Sequence, residues 1–306
     1  MTAGDEVADS TSASGGICHP DFLPSESPYQ MCLVSTEGTI FYVPSYCLLG
    51  SGFFRTMLSL PQAPEPHFDS TLPKRSAEPI HTNEPQLVLA VVLKMMCAQP
   101  FPPWTNLDDV ESILFLAERW DIPFILSTIR TAITSSALLT ADPLRLFYIT
   151  THFGWDDEAR IASEHTLDLS LFDSQHAEKL ARLTAKDLLA LLDLHRSRRL
   201  KFKELLNSQD AFNVGNSPAG SCVKCGATLD NHTWRDLKAA MVDDLDRNPR
   251  GDTLFGGMGC GGLLDESAVA MACWRAQCSY CKQENYDKRA TIQSIRACVQ
   301  GLRSTV

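Results

Sequence analysis

Two C-x-x-C pairs, Cys222-Val-Lys-Cys225 and Cys278-Ser-Tyr-Cys281, stand 56 residues apart near the end of the 306-residue chain. Each pair can turn two sulfurs toward one point, and two pairs together supply the four thiolates of a closed tetrahedral zinc site. If they do, the chain between them must double back. A small, loop-rich tail then gains a cross-link in place of a large core. Gly226, directly after the first pair, permits the tight turn that such a pair needs, whereas the second pair is followed by Lys282. A continuous helix over 272–285 would also keep Cys278 and Cys281 on one face. The expected site is therefore Cys222, Cys225, Cys278 and Cys281 with one structural Zn2+. Free buried thiols and redox or disulfide chemistry are the alternatives, and Cys260, Cys273 and His232 are alternative ligands.

The other cysteines differ in setting. Of eleven in all, Cys32, Cys47 and Cys97 stand singly among apolar residues and Cys18 lies in a polar N-terminal stretch. An odd count in a long chain is not the pattern of a secreted disulfide scaffold. Residues 1–27 are acidic, Ser-rich and punctuated by Gly and Pro, which predicts a disordered tail. That stretch has neither the basic start and apolar core of a secretory signal nor the basic character of a mitochondrial one. No apolar run is long enough to span a bilayer. Cytoplasm or nucleus is the expected location. The net charge of -10 argues against general affinity for nucleic acid, and residues 206–306 balance 11 basic against 11 acidic side chains.

From residue 30 the pattern changes. Met31–Val43 reads as two strands turning at Gly38, and Pro44 closes the second because it has no amide proton for the ladder. Ser45 and Ser51 can cap two short helices, the second carrying Phe53, Phe54, Met57 and Leu58. A proline-rich loop over 61–82, with a short strand near its end, leads to helices over 87–97, 107–120 and 124–133. Phe53, Phe54, Met57, Phe115, Trp120 and Phe124 are expected core residues. Helices follow over 144–152, 157–166 and 184–206, the last opened by Thr184-Ala-Lys-Asp187. Its basic end (Arg196, Arg198, Arg199, Lys201, Lys203) suits the negative pole of the helix dipole. Residues 207–221 read as a linker. The remainder is mainly helical around a glycine-rich loop over 248–262. Single histidines such as His81, His152, His165 and His195 are expected to be solvated or hydrogen-bonded.

The segment MCLVSTEGTIFYVPSYCLLGSGFFRTMLSLP, with LVLAVVLKMMCAQPFPP and the A-x-x-W-D-x-P turn from Ala117 to Pro123, resembles a BTB/POZ domain. The whole is similar to fungal proteins in which such a domain precedes helices and a C-x-x-C-G element. The resemblance implies an α+β fold in which a small sheet packs with helices over 28–135. It further implies a BACK-like helical extension over 136–206, a linker over 207–221 and a cysteine-bearing segment over 222–306. It implies a protein-interaction domain, with homodimers formed through the first strand and neighbouring helices, and in some members a place on a cullin-type ubiquitin ligase. Tyr29 or Gln30 stands where the family carries an acidic residue, and Pro44 follows Val43 where the family has histidine. Dimerisation and ligase recruitment are left open by these departures.

An interaction or adaptor role without catalysis is the resulting expectation. The phosphate-binding loop, the dinucleotide fingerprint, the G-x-S-x-G elbow and H-E-x-x-H do not occur in the sequence. An enzyme with an unrecognised active site is one alternative. A BTB-containing transcription or chromatin regulator is another, although tandem basic fingers are missing. Protein partners are expected, and neither nucleic acid nor membrane.

Overall fold

The computed structural model describes residues 17–27, 29–60, 78–216, 220–222, 224–257 and 260–306. The expected disorder of 1–16 and most of the proline-rich loop lie outside these residues. The chain forms two compact units that divide after Ile133.

The first unit is a small mixed sheet followed by helices. Strands β1 (Gln30–Val34) and β2 (Ile40–Pro44) pair antiparallel from Gln30↔Pro44 to Val34↔Ile40. Between them Gly38 takes φ +84°, a left-handed conformation open to glycine at little cost. Its amide donates to Ser35 O at 3.0 Å. A third strand, β3 (Ile80–His81), lies parallel to β1 and gives the order β2-β1-β3. Residues 17–26, expected within the disordered tail, instead run along the sheet. Cys18 bridges Ile40 in parallel, and Tyr42 N donates to Phe22 O at 3.0 Å. Phe22 is buried, its ring 5.6 Å from that of Phe41. One buried aromatic is enough to tie down a polar segment that composition reads as free.

Among the described residues five helices follow in this unit: α1 (Ser45–Leu48), α2 (Gly52–Ser59), α3 (Gln86–Met96), α4 (Leu107–Arg119) and α5 (Pro123–Ala132). Ser51 caps α2 by accepting from Phe54 N at 3.2 Å and donates its own hydroxyl to Trp120 O. Helix α4 ends with Asp121 at φ +51°, and Ile122 N reaches back to Ala117 O at 2.8 Å. This is a Schellman closure built without glycine. It presents Trp120 to Phe54, edge to face with centroids 5.0 Å apart. Gly52 N donates to Asp121 O at 2.8 Å, which locks the start of α2 to the same turn. Phe54 and Trp120 are core as expected. Phe53 and Phe124 are not: both are exposed.

The second unit contains α6 (Ser136–Ala141), α7 (Pro143–His152), α8 (Asp156–His165), α9 (Ala177–Ala181), α10 (Ala185–Leu206), α11 (Asn213–Asn216) and α12 (His232–Arg247). A two-residue hairpin follows, β4 (Gly256–Gly257) and β5 (Cys260–Gly261), then α13 (Leu263–Glu266), α14 (Ala268–Trp274) and α15 (Lys288–Gln300). Thr184 caps α10, accepting from Asp187 N at 3.2 Å. The far half of α10 buries Phe202 and Leu206 against Trp234, Leu237, Met241 and Leu245 of α12 and Ile295 and Val299 of α15. The expected BACK-like segment 136–206 and the cysteine-bearing segment 222–306 are thus one unit with a shared core. The expected linker also belongs to it: Phe212 is buried beside Trp234, with centroids 5.3 Å apart.

Within the basic stretch Arg198 has a role that the dipole reading does not give it. Its guanidinium is buried and donates to the carbonyls of Pro249, Arg250, Leu302 and Arg303. A fixed planar donor fork can satisfy several carbonyls at once. Here it gathers the loop after α12 and the C-terminal residues onto α10. No helix among the described residues is long and apolar enough to cross a membrane.

Candidate metal centre

The stretch between α11 and α12 carries Cys222 and Cys225, and the stretch between α14 and α15 carries Cys278 and Cys281. Helix α14 stops at Trp274, with Trp274 Nε1 donating to Leu264 O at 2.8 Å, so no helix continues through the second pair. Each pair instead forms the same loop. In the first, Cys222 N donates to Ala227 O at 2.8 Å and Gly226 N to Cys222 O at 2.8 Å. In the second, Cys278 N donates to Gln283 O at 2.8 Å and Lys282 N to Cys278 O at 3.0 Å. Isolated bridges Ser221↔Thr228 and Gln277↔Glu284 close the two loops at their bases. Gly226 has φ +72° and Lys282 has φ +61°, so the residue after each second cysteine is left-handed. Lysine at such a position carries the steric penalty that glycine avoids.

The loops face one another. Cys222 Sγ lies 3.4 Å from Cys281 Sγ and Cys225 Sγ lies 3.7 Å from Cys278 Sγ. All four sulfurs lie within 4.8 Å of one another. Zinc–sulfur bonds of about 2.3 Å imply a tetrahedron edge of about 3.8 Å, so the four positions bracket that edge. Cys222 and Cys278 are buried, Cys281 is half-buried and Cys225 is exposed. Leu229 packs with Cys222 and Cys278, and Val214, Ala227 and Cys281 flank them.

The loop amides prepare the sulfurs for a cation. The Cys225 and Lys224 amides donate to Cys222, drawing its thiol down to about 6. The Cys281 and Tyr280 amides likewise lower Cys278. The Ala227 amide acts in the same sense on Cys225, but local desolvation and the sulfurs of Cys281, Cys278 and Cys222 push that thiol up to about 12. Four thiolates this close repel one another unless a divalent cation sits between them. The geometry and donor set are those of a structural Zn2+ centre. The ion would supply a cross-link between the two loops and keep no open coordination position.

The alternative ligands lie elsewhere. Cys273 is buried in the α10–α12–α15 core, where burial raises its thiol to about 11. His232 pairs with Asp230 at 2.9 Å. Cys260 opens β5. His195 is buried on α10 with Nε2 3.2 Å from Thr166 Oγ1, and that hydroxyl is 2.6 Å from Ser163 O. Because the threonine proton goes to the carbonyl, His195 Nε2 is the donor. Burial, with Arg198 adding to it, lowers His195 to about 4. The ring is neutral and structural.

Comparison of the chain with protein-family profiles, curated proteins and solved structures returns no match.

Proposed function

We propose that the chain is a protein-interaction or adaptor module, working through a BTB/POZ-type first unit and without catalysis. The observation that carries this reading is an apolar face, exposed among the described residues, where α1, α2 and α5 meet. Leu49 and Phe53 are each 47% exposed and Phe124 is 41% exposed, although Phe54, next in sequence, is fully buried. The Phe124 ring edge stands 3.6 Å from where a side chain on Gly50 would begin, so the α1–α2 turn and α5 share one surface. Beside it a groove runs between Arg55, Met57 and Leu60 of the α2 end and Arg119 and Asp121 of the α4 end. Aromatic residues beside an arginine are what protein interfaces favour at their centres. The order strand, strand, two short helices, parallel third strand and three helices also accords with the resemblance drawn from residues 28–135. The partner is a second copy of the chain or another protein. The second unit is a zinc-stapled body of its own.

The test compares the wild-type chain with a Phe53→Asp/Phe124→Asp variant. Sedimentation velocity reads self-association, and cross-linking in extracts of the source cells reads other partners. Loss of self-association or of a specific partner in the variant is expected. An unchanged monomer with the same cross-linked proteins as the variant would overturn the reading.

A further inference from the structure

The four sulfurs of the metal centre are not equally placed. Cys222 and Cys278 are buried, Cys281 is half-buried and Cys225 is exposed, so the centre meets solvent at Cys225. Among the described residues, the two sulfur–sulfur contacts with hydrogen-bonding geometry both cross from one loop to the other. They join Cys225 Sγ to Cys278 Sγ at 3.7 Å and Cys222 Sγ to Cys281 Sγ at 3.4 Å. Each contact thus sets a more accessible sulfur against a buried one. A disulfide bond of about 2.05 Å asks each pair to close by about 1.5 Å. The loops can do so as bodies, because the bonds from Gly226 N to Cys222 O and from Lys282 N to Cys278 O lie within a loop and are left intact. Several thiols elsewhere are poorer targets. Burial raises those of Cys32, Cys97, Cys273 and Cys298, which keeps them protonated and slow to react at neutral pH. Cysteines that hold zinc are thiolates, the form that attacks an oxidant.

We propose that the four-sulfur centre is also a site of oxidation by hydroperoxides, at which Cys225 pairs with Cys278 and Cys222 with Cys281 as disulfides while zinc departs. The Cys225 thiolate attacks one peroxide oxygen. An S–O bond forms, the O–O bond breaks, and the departing oxygen takes a proton and leaves as water. The Cys278 thiolate then attacks Cys225 Sγ: the S–S bond forms, the S–O bond breaks, and the released hydroxide takes a proton to give a second water. Two electrons have passed from the sulfur pair to the peroxide. Cys281, the less buried of the remaining pair, reacts with a second peroxide, and Cys222 closes on it. With hydrogen peroxide, four thiolates, two peroxides and four protons give two disulfides and four waters, and Zn2+ passes to solvent. The link between the loops changes from metal to sulfur. Pairing within each C-x-x-C would instead leave the loops unjoined.

The experiment treats the zinc-loaded, full-length chain with hydrogen peroxide and blocks the remaining thiols with N-ethylmaleimide. Disulfides are mapped by trypsin digestion without reductant and mass spectrometry, while a chromogenic chelator reads free zinc. Trypsin cuts after Lys224, so Cys222 and Cys225 fall in separate peptides, 204–224 and 225–235, whereas Cys278 and Cys281 share 276–282. The expected product joins all three peptides. Fragmentation within 276–282 is expected to place Cys225 on Cys278 and Cys222 on Cys281, with one zinc released for every four thiols lost. Peptide 204–224 joined only to 225–235, with a disulfide closed inside 276–282, would overturn the cross-loop pairing, as would Cys222 on Cys278. Loss of thiols at other cysteines ahead of these four would overturn the site. So would zinc retained on four intact thiols in a large excess of peroxide.

Discussion

Replacing Cys278 by serine tests how much of the second unit depends on the metal cross-link. Cys278 is buried and packs with Cys222 and Leu229, so the serine hydroxyl fits the space and the loop loses a strong ligand without losing its shape. The cross-link joins residues 59 apart, counted from Cys222 to Cys281. Treated as a covalent loop closure of that length, it removes about 14 cal/mol/K of unfolded-state entropy, or about 4 kcal/mol at 25 °C. Urea unfolding of the full chain followed by tryptophan emission reads the loss, because Trp155, Trp234 and Trp274 all lie in this unit. With zinc present, Cys278→Ser is expected to cost about 4 kcal/mol. A chelator is expected to cost the wild type a similar amount and to cost the variant almost nothing. That non-additivity identifies the metal as the route of the loss. A wild type indifferent to chelator, paired with a variant that loses less than about 1 kcal/mol, would refute the reasoning.

Three further outcomes follow from the geometry. Lys282→Gly relieves the left-handed backbone of the second loop at some cost in unfolded-state entropy, so stability is expected to be unchanged or to rise by up to about 1 kcal/mol; a loss of that size in urea unfolding would contradict the turn. Arg198→Leu leaves the carbonyls of Pro249, Arg250, Leu302 and Arg303 without their shared donor. It is expected to cost about 3–5 kcal/mol and to expose the C-terminal residues to carboxypeptidase. His195, held near 4 against 6.5 when unfolded, binds its proton more readily in the unfolded chain. Its contribution is therefore complete above pH 6.5 and lost as pH falls toward 4, about 2 kcal/mol by pH 5. His195→Gln, which keeps a donor to Thr166, is expected to remove that part of the acid sensitivity, and an unaltered pH profile would contradict it.

Most local structure was legible because it depends on residues close together in sequence. Alternation around Gly38 predicts the hairpin, Thr184-x-x-Asp187 opens α10, and the Trp120-Asp121-Ile122-Pro123 turn separates α4 from α5. The four-cysteine group was legible from spacing alone. Its second loop was not, because Lys282 has none of glycine's signature and the apolar run 268–274 reads as a helix free to continue. The role of Arg198 depends on carbonyls 51 and 104 residues away, which no local pattern announces. For the same reason 136–206 and 222–306 read as separate segments, although Phe202, Trp234 and Ile295 share one core. Phe53 and Phe124 look like core residues by type, and only the packing of their neighbours leaves them outside.

The most direct measurement is zinc content with X-ray absorption at the zinc edge, made on the purified full-length chain. The expected result is one zinc per chain with four sulfurs at about 2.3 Å and no nitrogen or oxygen ligand, lost on Cys222→Ser or Cys281→Ser. A chain that folds its second unit without metal, or a zinc bound by fewer than four sulfurs, would contradict the staple formed by Cys222, Cys225, Cys278 and Cys281.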